Sequence, residues 1–150
     1  MKVVKSLAGL VLLSAALPAM ADDCSLTIEG NDAMQFNQQE LSVPASCKEV
    51  TLTLNHTGSL AKNVMGHNWV LSETADMQEI ANGAISAGAD NDYLDTSDER
   101  IIAHTDLIGG GESSSVTFST EGMTAGGDYS YFCSFPGHIG MMKGKFVITE

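Results

Sequence analysis

Apolar and polar residues alternate along much of this chain in short runs, the period of a strand that buries one face. The clearest runs are Ser25 to Glu29, Val50 to Asn55, Asn68 to Ser72, Ser115 to Ser119, Asp128 to Cys133 and Lys145 to Thr149, with shorter ones at Leu41 to Val43 and Ile101 to His104. Clusters of Gly, Asn, Asp and Ser separate them, residues that favour turns because they tolerate left-handed backbone or bond their own main chain. About eight strands at this spacing predict an all-β chain, a Greek-key β-sandwich or barrel. One segment breaks the alternation. Between Thr74 and Ala87, Met77, Ile80, Ala81 and Ala84 recur at helical spacing, which predicts one short helix ending near Gly88 and packed outside the sandwich. Trp69, between polar Asn68 and apolar Val70 and Leu71, is expected to point into the core.

The start of the chain follows a different pattern. Met1-Lys2-Val3-Val4-Lys5 precedes an apolar run from Leu7 to Leu17 and then Ala19-Met20-Ala21, the three parts of a secretory signal peptide. Cleavage is expected after Ala21, leaving residues 22–150 as a single domain with enough chain for one core. The apolar run is short for a membrane span and no later stretch approaches the length needed, so no membrane anchor is expected. Cleavage removes Lys2 and Lys5 and no acidic residue, so the formal charge of −12 becomes −14. That balance argues against nucleic-acid binding, because a phosphate backbone needs a basic footprint. It keeps the chain soluble and would steer basic partners toward it at low salt. A soluble, exported, acidic chain fits a bacterial periplasm.

The chemistry is concentrated near the end. Cys133-Ser134-Phe135-Pro136-Gly137-His138-Ile139-Gly140-Met141-Met142 places a thiol, an imidazole and two thioethers within ten residues, beside a Pro-Gly corner. Each residue alone has an ordinary reading: Cys and Met fill cores, and a lone His sits on a surface. Together they are a copper-ligand grouping, since a His₂Cys plane with a weak axial Met is the blue-copper arrangement. The second histidine is best supplied by His67, in Met65-Gly66-His67-Asn68-Trp69, where it opens a strand-like run behind a glycine that permits close backbone approach. Met141 and Met142 are neighbours and would point to opposite faces of a strand, so only one should reach the metal. Pro136 and Gly137 tighten the loop, and rigidity is what an electron carrier needs if its ligands are to stay in place in both oxidation states. His56 and His104 lie at strand ends with no matching acid or thiol nearby and are read as non-ligands.

The chain resembles the azurin family of bacterial cupredoxins across essentially all of residues 22–150. The stretches that carry the resemblance include Cys24 with Cys47, Gly30-Asn31-Asp32, Lys62-Asn63-Val64-Met65-Gly66-His67-Asn68-Trp69-Val70-Leu71, Asp92-Tyr93-Leu94, Ile102-Ala103-His104-Thr105, Val116-Thr117-Phe118 and Phe132-Cys133-Ser134-Phe135-Pro136-Gly137-His138. It implies one type 1 copper with equatorial ligands His67, Cys133 and His138, a weak axial Met142, and the carbonyl of Gly66 as a distant contact. Met142 is chosen over Met141 because the family's axial Met directly precedes a Lys-Gly pair, here Lys143-Gly144. The resemblance also implies backbone N–H groups of Asn68 and Phe135 on the Cys133 sulfur, and an Asn68 side chain tying the two ligand segments together. His56 would couple pH to potential beside the site. An electron would leave through the edge of His138 inside an apolar ring of Met34, Leu60, Val64, Met65, Phe135 and Pro136, although from the residues alone Met34, Leu60 and Val64 read as core. Three cysteines in an oxidising compartment then divide into a Cys24 to Cys47 disulfide and the ligand Cys133. At Ile139-Gly140-Met141 the loop departs from the family pattern.

The function this implies is a soluble periplasmic carrier of single electrons, a monomer forming transient complexes with redox proteins such as c-type cytochromes, copper nitrite reductase or periplasmic dehydrogenases. Two other classes compete: a copper-dependent reductase, which would need a second copper with an open position, and a copper storage or trafficking module, which should release its metal readily. A Cys/His hydrolase is weaker still, since no third group is evident to orient the histidine.

Overall fold

β3, Glu49–His56, shows the alternation at work: Val50, Leu52, Leu54 and His56 are buried while the residues between them face outward. On that outer face Thr51 and Thr53 bond Thr117 and Ser115 of β6, Ser113–Ser119, across the ladder. The computed structural model describes residues 23–150; the expected signal peptide, residues 1–21, and its cleavage site lie outside the described residues.

The remaining strands are β1 Ser25–Gly30, β2 Glu40–Pro44, β4 Val70–Glu73, β5 Ile101–His104, β7 Tyr129–Phe132 and β8 Lys143–Thr149. They form two sheets, one of order β1-β3-β6 and one of order β2-β8-β7-β4-β5. β1 pairs β3 in parallel and β2 pairs β8 in parallel, while the other pairings are antiparallel. The sheets are the two layers of a Greek-key β-sandwich. Between them lies one core of Ile28, Leu41, Val50, Leu52, Leu54, Trp69, Leu71, Tyr131, Phe146 and their neighbours. Trp69 is fully buried, as expected, with Phe118, Tyr131 and Phe146 around its ring. The Cys24–Cys47 disulfide ties the start of β1 to the loop before β3, a closure worth about 3 kcal/mol in the chain-entropy account.

β7 departs from simple alternation because both its faces are covered: all four residues are buried. Tyr129 and Tyr131 belong to the main core, whereas Phe132 joins Val70, Ile80 and Leu94 in a second cluster. That cluster exists because α2, Met77–Ala87, lies over the outer face of β4 and β7 with Ile80 and Ala84 buried beneath it. The predicted helix is therefore present, three residues shorter at its start, and it ends at Gly88 with φ 74°, whose N–H bonds the Ala84 carbonyl. Among the described residues no helix is long and apolar enough to cross a membrane.

The run from Asn68 to Ser72 is only partly strand. A four-residue helix, α1 Lys62–Met65, precedes it, and β4 begins at Val70. His67 instead makes an isolated two-bond bridge with Ile108. The regular ladder is interrupted where the Trp69 N–H bonds the Thr105 hydroxyl in place of a main-chain carbonyl. His67 thus sits just ahead of a strand rather than on one.

Candidate metal centre

Alternation along β7 turns Cys133, the residue after its end, toward the space between the sheets, where it is fully buried. From there the chain folds back on itself. The Cys133 N–H bonds the Met142 carbonyl at 3.0 Å, the His138 N–H bonds the Phe135 carbonyl, and the N–H groups of Met141 and Met142 both bond the His138 carbonyl. Gly137 makes the turn possible with a φ of 84°, a left-handed conformation that costs other residues steric strain. The loop is therefore closed on itself by main-chain hydrogen bonds. It leaves Met142 wholly buried and Met141 62% exposed.

His67 enters from the other segment. A Cβ on Gly66 would stand 2.4 Å from the Lys62 carbonyl oxygen, so α1 can close tightly only on glycine there. At the end of β1, a Cβ on Gly30 would lie 2.8 Å from Cδ2 of His67 and 3.4 Å from the Met142 methyl. Gly30 is thus the floor against which both the imidazole and the thioether rest. No local pattern in the sequence gives it that role.

The donor atoms of His67, Cys133 and His138 all lie within 4.8 Å of one another, and all three residues are buried. Cys133 Sγ is 4.0 Å from Nδ1 of His67, 3.6 Å from Nδ1 of His138 and 3.9 Å from the Gly66 carbonyl oxygen. Nε2–H of His67 donates to the Asn31 carbonyl at 2.8 Å, which fixes the proton on that nitrogen and leaves Nδ1 bare for a metal. Gly30 and Asn31 lie in a stretch that carries the resemblance, but nothing in the sequence assigns either of them a role at this site.

Electrostatics favour a cation here. Burial pushes the Cys133 thiol up to about 11, opposed in part by the backbone N–H groups of Asn68 and Phe135 that bond its sulfur. Burial also lowers His67, against the pull of the Asn31 carbonyl, and lowers His138 to about 4, helped by the charges of His67 and His56. Two bare imidazole nitrogens facing a buried thiol form a site in which a soft or borderline cation replaces the thiol proton and neutralises the charge left behind. One sulfur and two imidazole nitrogens fit copper by their chemistry.

The surroundings hold these donors still. Nδ2 of Asn68 donates to the Ser134 hydroxyl and Oδ1 of Asn68 accepts the Ser134 backbone N–H, each at 2.8 Å, joining the His67 segment to the Cys133 loop. His56 lies flat on His67, ring centroids 4.3 Å apart. Its Nε2–H donates to the Met65 carbonyl and its Nδ1 accepts the Gly58 N–H, so neither nitrogen is free for a metal. His104, half-buried on β5, donates through Nδ1 to the Thr105 carbonyl and stands outside the donor group. Met34, Leu60 and Val64 are 36%, 39% and 57% exposed, not core, and Met65, Phe135 and Pro136 are half-buried. His138 itself is only 3% exposed.

A sandwich carrying a buried His-Cys-His group between its sheets defines a type 1, blue-copper electron-transfer protein of the cupredoxin class. The chain belongs to the plastocyanin/azurin family of copper-binding proteins, whose family model matches residues 22–149. Among its relatives, Azurin-1 of Alcaligenes xylosoxydans xylosoxydans is 57% identical over 128 residues, 85% of this chain and 99% of the relative. The azurin of Bordetella pertussis is 50% identical over 145 residues, 96% of this chain and 97% of that protein. The azurin of Pseudomonas aeruginosa is 50% identical over 145 residues, 96% and 98% of the two chains. The protein is an electron carrier that uses copper, and not an enzyme.

Proposed function

We propose that this chain shuttles single electrons in a bacterial periplasm, with copper held by Nδ1 of His67, Sγ of Cys133 and Nδ1 of His138. The Met142 thioether serves as the weak axial ligand and the Gly66 carbonyl faces the site from a greater distance. The observation that carries the proposal is the convergence of three buried donor atoms, with Nδ1 of His67 left bare because its Nε2–H is taken by the Asn31 carbonyl. Bound copper supplies the Cu(II)/Cu(I) couple and the charge transfer from thiolate that colours such sites. The protein's part is to keep the donors where they are: the Asn68–Ser134 clamp, the self-bonded loop and the Gly30 floor all resist movement. Burial of Met142 against the same floor as His67, with Met141 turned to solvent, supports Met142 as the axial group.

His138 would pass the electron, because its ring lies against Phe135, and the exposed apolar residues Met34, Leu60 and Val64 with half-buried Met65, Phe135 and Pro136 would receive a partner. An apolar patch of this kind suits a small contact that releases quickly, and the excess of acidic residues favours basic partner surfaces. Redox proteins such as c-type cytochromes, copper nitrite reductase or periplasmic dehydrogenases fit that description. The visible spectrum of the oxidised, copper-loaded protein tests the ligand set: intense absorption lost in Cys133→Ser supports it, and a colourless copper complex of the unmodified chain refutes it. Osmotic-shock fractionation tests the compartment; the released chain should begin at residue 22.

A further inference from the structure

The region after β4 touches the ligand loop at two points beyond the donor group. Ile139, which follows His138, packs against the second cluster of Val70, Ile80, Leu94 and Phe132, where Met77 and Ala81 of α2 also pack. Its side chain therefore anchors the loop under the helix and not in the main core. At the second point, the ring of Tyr93 meets Phe135 edge-on, centroids 5.1 Å apart and planes at 68°. Phe135 in turn lies 4.6 Å from the His138 ring at 36°. Three rings thus run from the turn after α2 to the imidazole.

The turn that presents Tyr93 is held in an unusual shape. Asp92 and Tyr93 both have left-handed backbones, φ 52° and 55°, and neither is glycine. Such conformations persist only where surroundings impose them, and they concentrate at functional positions. Here the Tyr93 N–H bonds the Gly88 carbonyl, the Asp92 N–H bonds the Ala89 carbonyl, and Lys62 of α1 reaches the Asp92 carboxylate at 2.8 Å. That ion pair is half exposed and adds little energy on its own. The aromatic contact and the Ile139 anchor are the connections that matter.

We propose that Tyr93 and Ile139 are positioning residues for His138: α2 and the turn that follows it brace the ligand loop from outside the sandwich, fixing the imidazole through Phe135 on one side and through the backbone of Ile139 on the other. The functional weight of this brace rests on the reading of His138 as ligand and electron route. The mechanical claim does not, so it is tested first on the metal-free chain. Hydrogen exchange should be followed for the His138, Met141 and Met142 amides, which are bonded inside the loop, and for amides of β3 as a reference.

In Tyr93→Ala and Ile139→Ala the loop amides should exchange between about twofold and tenfold faster, the range expected for losing one aromatic or aliphatic contact. The β3 amides should change by less than about twofold, and Tyr93→Phe and Ile139→Val should restore the loop. In the copper-loaded protein the Ala variants should differ in reduction potential from the Phe and Val variants. Loop protection that stays unchanged, or falls by the same factor as β3, overturns the proposal; so does a potential indifferent to both Ala substitutions. A loop that loosens as expected, in a protein whose copper complex lacks the charge-transfer band, would sink the ligand assignment and leave the brace standing.

Discussion

Asn68 and Ser134 bond each other twice, amide to hydroxyl and backbone N–H to amide oxygen, both at 2.8 Å and both buried. Since Asn68 follows His67 and Ser134 follows Cys133, this reciprocal pair ties together the two segments that carry those donors. Asn68→Ala should destabilise the metal-free protein by about 2 to 3 kcal/mol, because it removes two bonds and strands a buried N–H. Ser134→Ala removes one bond, stranding the Asn68 Nδ2–H but keeping the second bond, and should cost less, about 1 kcal/mol. Denaturant midpoints of the two variants check this, and equal losses would contradict it.

The two neighbouring methionines should behave oppositely. Met142→Leu should keep the colour and raise the reduction potential, since the axial group tunes the couple. Met141→Leu, at a position 62% exposed, should change neither. Voltammetry of both variants decides, and an unmoved potential in Met142→Leu would remove that residue from the ligand set.

Acid should weaken the metal-free protein. Burial takes His138 from its ordinary 6.5 down to about 4 and moves His67 the same way, so the unfolded chain takes up protons that the native chain refuses. The stabilisation is complete above about pH 6.5 and is lost as pH falls from there through about 4. Calorimetry should show Tm descending over that window, less steeply in His138→Gln. A Tm that climbs on acidification would reverse the sign of the argument.

Trp69 gives an internal probe. It is the one tryptophan of the chain, fully buried among aromatic rings, and its Nε1–H has no hydrogen-bond partner. Its emission should fall at the short wavelengths of indole in apolar solvent and move to those of indole in water on unfolding. Native emission near the aqueous position would mean that water reaches the ring.

The exposed apolar residues can be separated from the redox centre. Val64→Asp should leave spectrum and potential intact while slowing electron transfer to a partner protein by about tenfold, equivalent to 1.4 kcal/mol of lost contact. Ile85→Asp adds the same charge at a 70% exposed site on α2 and should have little effect. Stopped-flow kinetics distinguish them, and equal slowing would point to charge alone.

Most strands were legible because a half-buried strand writes its two faces into the sequence, as β3 does with Val50, Leu52 and Leu54. The helix was legible from Ile80 and Ala84, a spacing that makes one face. The buried donor group was legible because Cys133 and His138 fall within one short loop, and the resemblance chose Met142 over Met141 as the proposed axial group. What stayed hidden depends on partners far along the chain. Gly30 gives no sign that it floors His67, 37 positions away. Nor does Asn31 reveal that its carbonyl fixes an imidazole tautomer, a backbone role that any side chain could accompany. Leu60 and Val64 look like core residues from their own pattern; the resemblance put them in a surface ring, and the assembled fold leaves them 39% and 57% exposed.

β1 has sulfur chemistry at one end and ligand chemistry at the other: Cys24, bridged to Cys47, precedes its first residue, and Gly30, its last, lies against His67. Six extended residues separate the two by about 20 Å, and the Cys133 thiol is sealed from solvent. Thiolate attack between the two sulfur sites cannot occur in the native chain, because exchange needs the atoms in contact. Any molecule recovered with Cys133 crosslinked to Cys24 or Cys47 must have been oxidised while unfolded, so the pairing pattern records the order in which folding and oxidation took place.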